Sequence, residues 1–226
     1  MIPMNKNILI IITLLLGLFI TTSAQAQSHK LFFVFLNSNP DKAILDADKV
    51  ELLQSAHQKN IERLASEGIM KAAGPFEGGG GMFILKTDNI ATANEILQSD
   101  PAIKANRFLI EVFPLVLAHN DLCGAEEPYE MVTYQFVRTI SNPEYFGDMD
   151  LMRADNRVFM SDLNNDNDFV VSQGNFELYN EGYLILDVAD VQEAEFIIKQ
   201  HPSVQVNQLN YEIKELWIAK GTFCKK

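Results

Sequence analysis

AGPFEGGGGMFILKTDNIATANEILQSDP, Ala73 to Pro101, is the stretch that decides the fold. It holds a Gly-Pro-Phe turn, a glycine loop, an apolar strand, a short helix and a closing Asp-Pro pair. QGNFELYNEGYLILDVADVQEAEFIIKQHP, Gln173 to Pro202, repeats that order. Gly81 and Gly182, Ala93 and Ala194, Pro101 and Pro202, and Cys123 and Cys224 keep one constant offset. Self-similarity at a fixed period marks an internal duplication, so two related domains are expected rather than one large one.

Outward from that repeat, the chain opens with one lysine, an apolar run from Ile8 to Ile20 and Ala24-Gln25-Ala26, a small-x-small cleavage pattern. The run is shorter than the roughly 20 residues that span a bilayer, and no cysteine follows the cut to carry a lipid. Residues 1–26 are therefore expected to be a signal peptide, making the protein exported, periplasmic or secreted. Its removal takes only Lys6 from 18 basic residues against 30 acidic ones, so the charge moves from −12 to 17 − 30 = −13. A chain this acidic is a poor partner for nucleic acid or an anionic membrane surface. Lys59, Arg63 and Lys71 read as scattered surface charge.

In the first repeat, Lys30–Leu36 reads as a buried strand and Asn39-Pro40 ends it. Asp46 or Asp48 caps a helix with Val50, Leu53, His57, Ile61 and Leu64 near one face, and Gly68 stops it. Ile69–Ala73 and Met82–Lys86 follow as strands, Ile90–Gln98 as a helix and Phe108–Leu117 as the last strand. The order is the split β-α-β arrangement of ferredoxin-like domains. After a linker, residues 124–128, the second repeat gives Met131–Val137, Phe169–Ser172, Gly182–Val188, Val191–Gln200 and Leu209–Ile218. Between Glu144 and Asp168, Asp and Asn crowd the sequence and Met149, Met152, Phe159 and Leu163 keep only rough helical spacing, which predicts a short or broken helix. Leu31–Leu36 and Gly182–Leu186 are apolar on both faces, so each sheet is expected to be covered on both sides and the domains to pair within one chain. Cys123 and Cys224 lie at equivalent places just beyond the last strand of each repeat; near a pseudo-twofold axis such positions approach each other, and export would favour a disulfide over two free thiols.

His57, Gly74-Pro75 at 74 − 57 = 17 positions further on, and Asp100-Pro101 after the second helix resemble the YCII-related family. The resemblance covers residues 30 to 117 well and 131 to 218 in degraded form. It implies a pair of α+β ferredoxin-like domains joined as a dimeric α+β barrel, akin to muconolactone isomerases. It also implies a small-molecule ligand, no cofactor, and His57 and Asp100 as the active pair; one branch of the family eliminates chloride from chlorinated hydroquinones. In the second repeat Arg157, Gly174-Asn175 and His201-Pro202 stand at the matching positions, so no acid-base pair is expected there. The expected organisation is a signal peptide at 1–26, an intact domain at 27–123, a linker at 124–128 and a degenerate domain at 129–226.

The chemistry suits these residue types. An imidazole with a pKa near 6.5 can take and return a proton at neutral pH, and a carboxylate beside it fixes the tautomer. Gly74 would let a substrate approach the main chain, with Pro75 and Phe76 beside it. The competing reading is a core histidine satisfied by one hydrogen bond and an Asp-Pro that only stops a helix. Gly78–Gly81 lacks the Lys-Ser or Lys-Thr of a phosphate loop and reads as a hairpin. His29, His119 and His201 have no metal spacing, and Asp162 to Asp168 lacks the glycine and glutamate of a calcium loop. Two functions follow: an acid-base lyase or isomerase, or a non-catalytic binding or structural protein that keeps the fold.

Overall fold

The computed structural model describes residues 30–125, 127–166, 168–176 and 181–224; the expected signal peptide, Glu126 of the linker and Asn167 lie outside them. The first half runs β1 (Lys30–Ser38), α1 (Ala47–Ser66), β2 (Met70–Pro75), β3 (Gly81–Thr87), α2 (Ile90–Leu97), α3 (Pro101–Lys104) and β4 (Phe108–His119). A short β5 (Asp121–Leu122) follows. The second half repeats the order with β6 (Met131–Ser141), α4 (Arg153–Asp166), β7 (Val170–Phe176), β8 (Gly182–Leu186), α5 (Val191–Ile198), α6 (Pro202–Gln205) and β9 (Leu209–Ala219), and ends in β10 (Phe223–Cys224).

Local chemistry sets these boundaries. Asp46 accepts the Lys49 N–H at the start of α1, and Gly68 takes φ +72° beyond its end, a conformation that glycine adopts without steric cost. Asn89 and Asp190 cap α2 and α5 in the same way, through Thr92 N–H and Glu193 N–H. Gly78, Gly79 and Gly80 all have positive φ in the β2–β3 turn, so the glycine run serves a hairpin.

Eight strands form one antiparallel sheet in the order β2-β3-β1-β4-β7-β8-β6-β9, and β5 pairs with β10 in a second, two-stranded one. Each half has the ferredoxin-like order, and β4 joins β7 through Leu115–Phe176, Val116–Asn175 and Leu117–Gly174. At the far edges Phe76 bridges Leu216 and Glu77 N–H donates to Glu215 O at 2.9 Å, which closes the sheet into an α+β barrel. Alternation on β1 shows why both faces are apolar. Phe33 and Phe35 point into the barrel against Phe136, Phe176 and Tyr183 of the other half, whereas Phe32, Val34 and Leu36 pack under α1 and α2. Phe113 and Phe176 stack across the β4–β7 seam at 4.7 Å.

One polar pair crosses between the halves and had no sequence signal. Arg138 on β6 is 6 % exposed and donates both guanidinium nitrogens to Glu111 on β4, at 3.0 and 2.8 Å. Its guanidinium lies 4.0 Å over the Phe35 ring. A buried guanidinium is tolerable only when paired, and this fork-to-fork geometry pairs it. The Arg138 hydrogen bonds hold the Glu111 carboxyl below its usual value against the opposing effect of burial.

Three expectations change. The helix expected to be short or broken is a continuous 14-residue α4, shorter than the 20 residues of α1; Phe159, Met160 and Leu163 pack on the sheet, and Met149 and Met152 precede the helix. Val50 is 46 % exposed, so the buried face of α1 falls on His57, Asn60 and Leu64. Asp100-Pro101 starts a helix instead of only stopping one: Asp100 is the N-cap of α3 and Pro101 occupies its first turn.

Candidate functional site

The helical side of the first half brings His57 and Asp100 together. The His57 ring lies 6.0 Å from that of Phe83 and 5.9 Å from that of Phe108, and its Nδ1 is 2.7 Å from Asp100 Oδ2. Asp100 precedes proline, which disfavours the helical region for it; its φ of −76° and ψ of 125° aim the carboxylate back at α1. Oδ1 accepts the N–H groups of Ala102 and Ile103 at 2.8 and 3.1 Å, and Oδ2 also accepts Asn60 Nδ2 at 3.1 Å. Burial pushes the carboxyl up, but the hydrogen bond and field of His57, the Ile103 N–H and the Asn60 amide outweigh it and hold the group below its ordinary value. An ionised Asp100 assigns the neutral imidazole proton to Nδ1, which leaves the Nε2 lone pair for a reacting proton.

Asn60 is the neighbour of the pair that sequence reasoning missed. It sits one turn after His57 on the same face, and its Oδ1 accepts Arg63 Nη2 at 2.8 Å and Ser99 Oγ at 3.1 Å. Arg63 continues outward to Glu67. The residue read as scattered charge thus ends a polar chain from the buried carboxylate to solvent. A polar residue at helical spacing from the histidine was the available signal, but a solvated face gives the same pattern.

The Gly74-Pro75-Phe76 turn is not gathered into this cluster. A Cβ at Gly74 would stand 2.8 Å from Leu216 Cδ1 and 2.8 Å from Trp217 O, so the space expected for a substrate is filled by β9. Pro75 is exposed, and Phe76 is 4 % exposed in the barrel core with its ring 5.0 Å from that of Phe136. The glycine is needed because two backbones meet at the seam that closes the barrel. Gly74→Ala is therefore expected to cost about 1 to 3 kcal/mol, because the Trp217 carbonyl cannot turn away; equilibrium urea unfolding measures it, and a neutral change would show that β9 can withdraw.

In the second half the matching positions do not form a pair of this kind. Arg157 is on α4, and His201 precedes α6 without a side-chain capping bond. Burial pushes the His201 pKa down to about 4, so its ring is neutral. Cys123 and Cys224 form a disulfide with Cα atoms 5.7 Å apart. Of the acidic segment, Asn164 donates to Gln173 and Asn165 to Ser161, whereas Asn167 and the Asp166 side chain lie outside the described residues.

Comparison with known proteins finds similarity in the first half and in the fold. Residues 31–116 match the model of the YCII-related domain, so the half that carries His57 and Asp100 is similar to that domain. Among solved structures, a proposed monooxygenase from Fusobacterium nucleatum is 12 % identical, with 88 % of this chain and 98 % of that chain covered and a TM-score of 0.45. A proposed chlorite dismutase is 10 % identical over 88 % and 96 % of the two chains, with a TM-score of 0.49. An anthrone oxidase-like protein is 8 % identical over 86 % and 92 %, with a TM-score of 0.41. No curated protein matches the chain.

Proposed function

We propose that this is an exported, internally duplicated α+β-barrel protein whose first half binds a small molecule and moves a proton on it, in a lyase or isomerase reaction. The observation that carries the reading is the 2.7 Å contact between His57 Nδ1 and a carboxylate fixed by four hydrogen bonds. In this scheme His57 Nε2 takes a proton from the substrate and returns it, Asp100 holds the tautomer and stabilises the charged ring, and Asn60 fixes the carboxylate. A substrate would not approach over Gly74, where β9 fills the space. The burial of His57, whose side chain is only 10 % exposed, favours a second reading in which the cluster is purely structural.

Turnover in heavy water separates the two. Enolisable ketones, lactones and chlorinated hydroquinones are incubated with the protein, and deuterium uptake or chloride release is followed. Wild type is expected to act on at least one class and His57→Asn to lose that activity. No turnover by wild type across the panel, with His57→Asn lowering only the melting temperature, supports the structural reading.

A further inference from the structure

The second half has a cavity of about 320 Å³ where the first half holds its His-Asp cluster, between α4, the helical face of β6 to β8 and the start of α6. Arg153 and Arg157 line it, and among the described residues none of the lining is Asp or Glu, in a chain with a net charge of −12. Two arginines at i and i+4 repel each other on a helix unless something compensates them. Asp150 pairs with Arg153, whereas Arg157 has no hydrogen bond or ion pair among the described residues.

Two further groups point at a ligand. His201 is 6 % exposed, and its Nδ1 is a buried polar atom with no partner among the described residues. Such atoms are rare in folded proteins, and a bound group that satisfies one removes its desolvation cost. Gln173, 4 % exposed, also lines the cavity and accepts Asn164 Nδ2 on its Oε1, so its amide NH₂ is the end that can donate to a ligand. Met160 and Leu184 supply apolar wall. The volume lies at the small end of ligand pockets, and the lining joins a forked cation and two neutral donors to an apolar surface.

We infer that this cavity binds a small organic acid, its carboxylate held by Arg157 and met by Gln173 Nε2 and His201 Nδ1, and its apolar body lying against Met160 and Leu184. A neutral imidazole can carry its proton on Nδ1 and donate it, and Arg157 can present two parallel N–H groups to a planar carboxylate. The loss of the His-Asp pair from this half thus leaves a binding site of different chemistry. This inference does not rest on the proton-transfer reading of the first half.

Calorimetric titration of the purified protein with benzoate, phenylacetate and hexanoate tests it, with benzamide and inorganic phosphate as controls. Saturable binding of at least one carboxylate is expected, with weaker binding of benzamide and of phosphate. Arg157→Gln, at an exposed position that does not threaten folding, is expected to weaken carboxylate binding about 10- to 100-fold. His57→Asn should leave it unchanged. Benzamide or phosphate binding as tightly as the carboxylates would overturn the assignment, as would no saturable carboxylate binding or indifference to Arg157→Gln. A loss of carboxylate binding in His57→Asn with Arg157→Gln silent would move the acid to the first half and overturn it too.

Discussion

Asp100→Ala is expected to lower the stability of the protein by about 2 to 4 kcal/mol, a loss of roughly 5 to 15 °C in melting temperature for a chain of this size. Two mechanisms add. The variant loses an N-cap, typically about 1 kcal/mol, because Ala102 and Ile103 N–H face the missing Oδ1. It also strands His57 Nδ1–H and Asn60 Nδ2 in a site where Asp100 is 1 % exposed, and a buried donor without a partner costs about 1 to 3 kcal/mol. Asp100→Asn keeps an oxygen for the cap and should lose less.

The pH dependence follows from the depressed carboxyl. A group whose folded pKa lies below its unfolded value adds stability that is fully present above the unfolded value, near 3.8, and is lost as pH falls through the lower folded one. The gap between wild type and Asp100→Asn should therefore be constant at neutral pH and shrink only in acid below about 4. Denaturant melts across that range measure it, and a gap that persists in acid would assign the loss to packing. Because Asp100 is also a cap, its loss of stability does not bear on catalysis; only His57→Asn separates the two roles.

The fold was legible because its signals are local. The continuous apolar run of Lys30–Leu36, the capping Asp46 and the glycine turn each act within a few residues and pointed to the observed elements. His57 and Asp100 were legible through spacing, since a helix, a hairpin and a second helix of fixed length return the chain to the same side of the sheet. What the sequence hid is non-local. Glu111 and Arg138 meet only because β4 and β6 belong to one closed sheet, and nothing near either residue encodes that pairing. The place of Gly74 at the barrel seam was hidden for the same reason: a glycine beside a ligand and a glycine beside another strand look alike until β9 is in place. Arg157 and His201 looked like the remains of a lost site, because sequence shows a missing pair but not a cavity.

Reducing the Cys123–Cys224 disulfide, or replacing Cys224 with serine, is expected to cost about 2 to 4 kcal/mol, with a chain-entropy ceiling of about 4.7 for a loop of this length. The bond spans 101 positions and ties the end of the first half to the end of the second. Its surroundings limit the damage. β5 and β10 pair only through Leu122–Phe223 and Asp121–Cys224, too little to persist alone, but the barrel is also held by the β4–β7 ladder, the Phe76–Leu216 bridge and the Arg138–Glu111 pair. Hydrogen exchange after reduction should therefore rise first at Cys123, whose N–H donates to Thr222 O, while amides of β1, β3 and β8 stay protected. Phe223, 8 % exposed in the barrel core, is the contact through which fraying would reach the interior. A fall in stability with uniform loss of protection would mean that the barrel cannot stay closed without the bond. Export would keep the bond oxidised, and protein from its native compartment should show the two-hydrogen mass deficit before reduction, whereas reducing compartments keep such thiols free. Recovery from the cell with two alkylatable thiols would remove the stabilisation and, with it, the support that the disulfide gives to export.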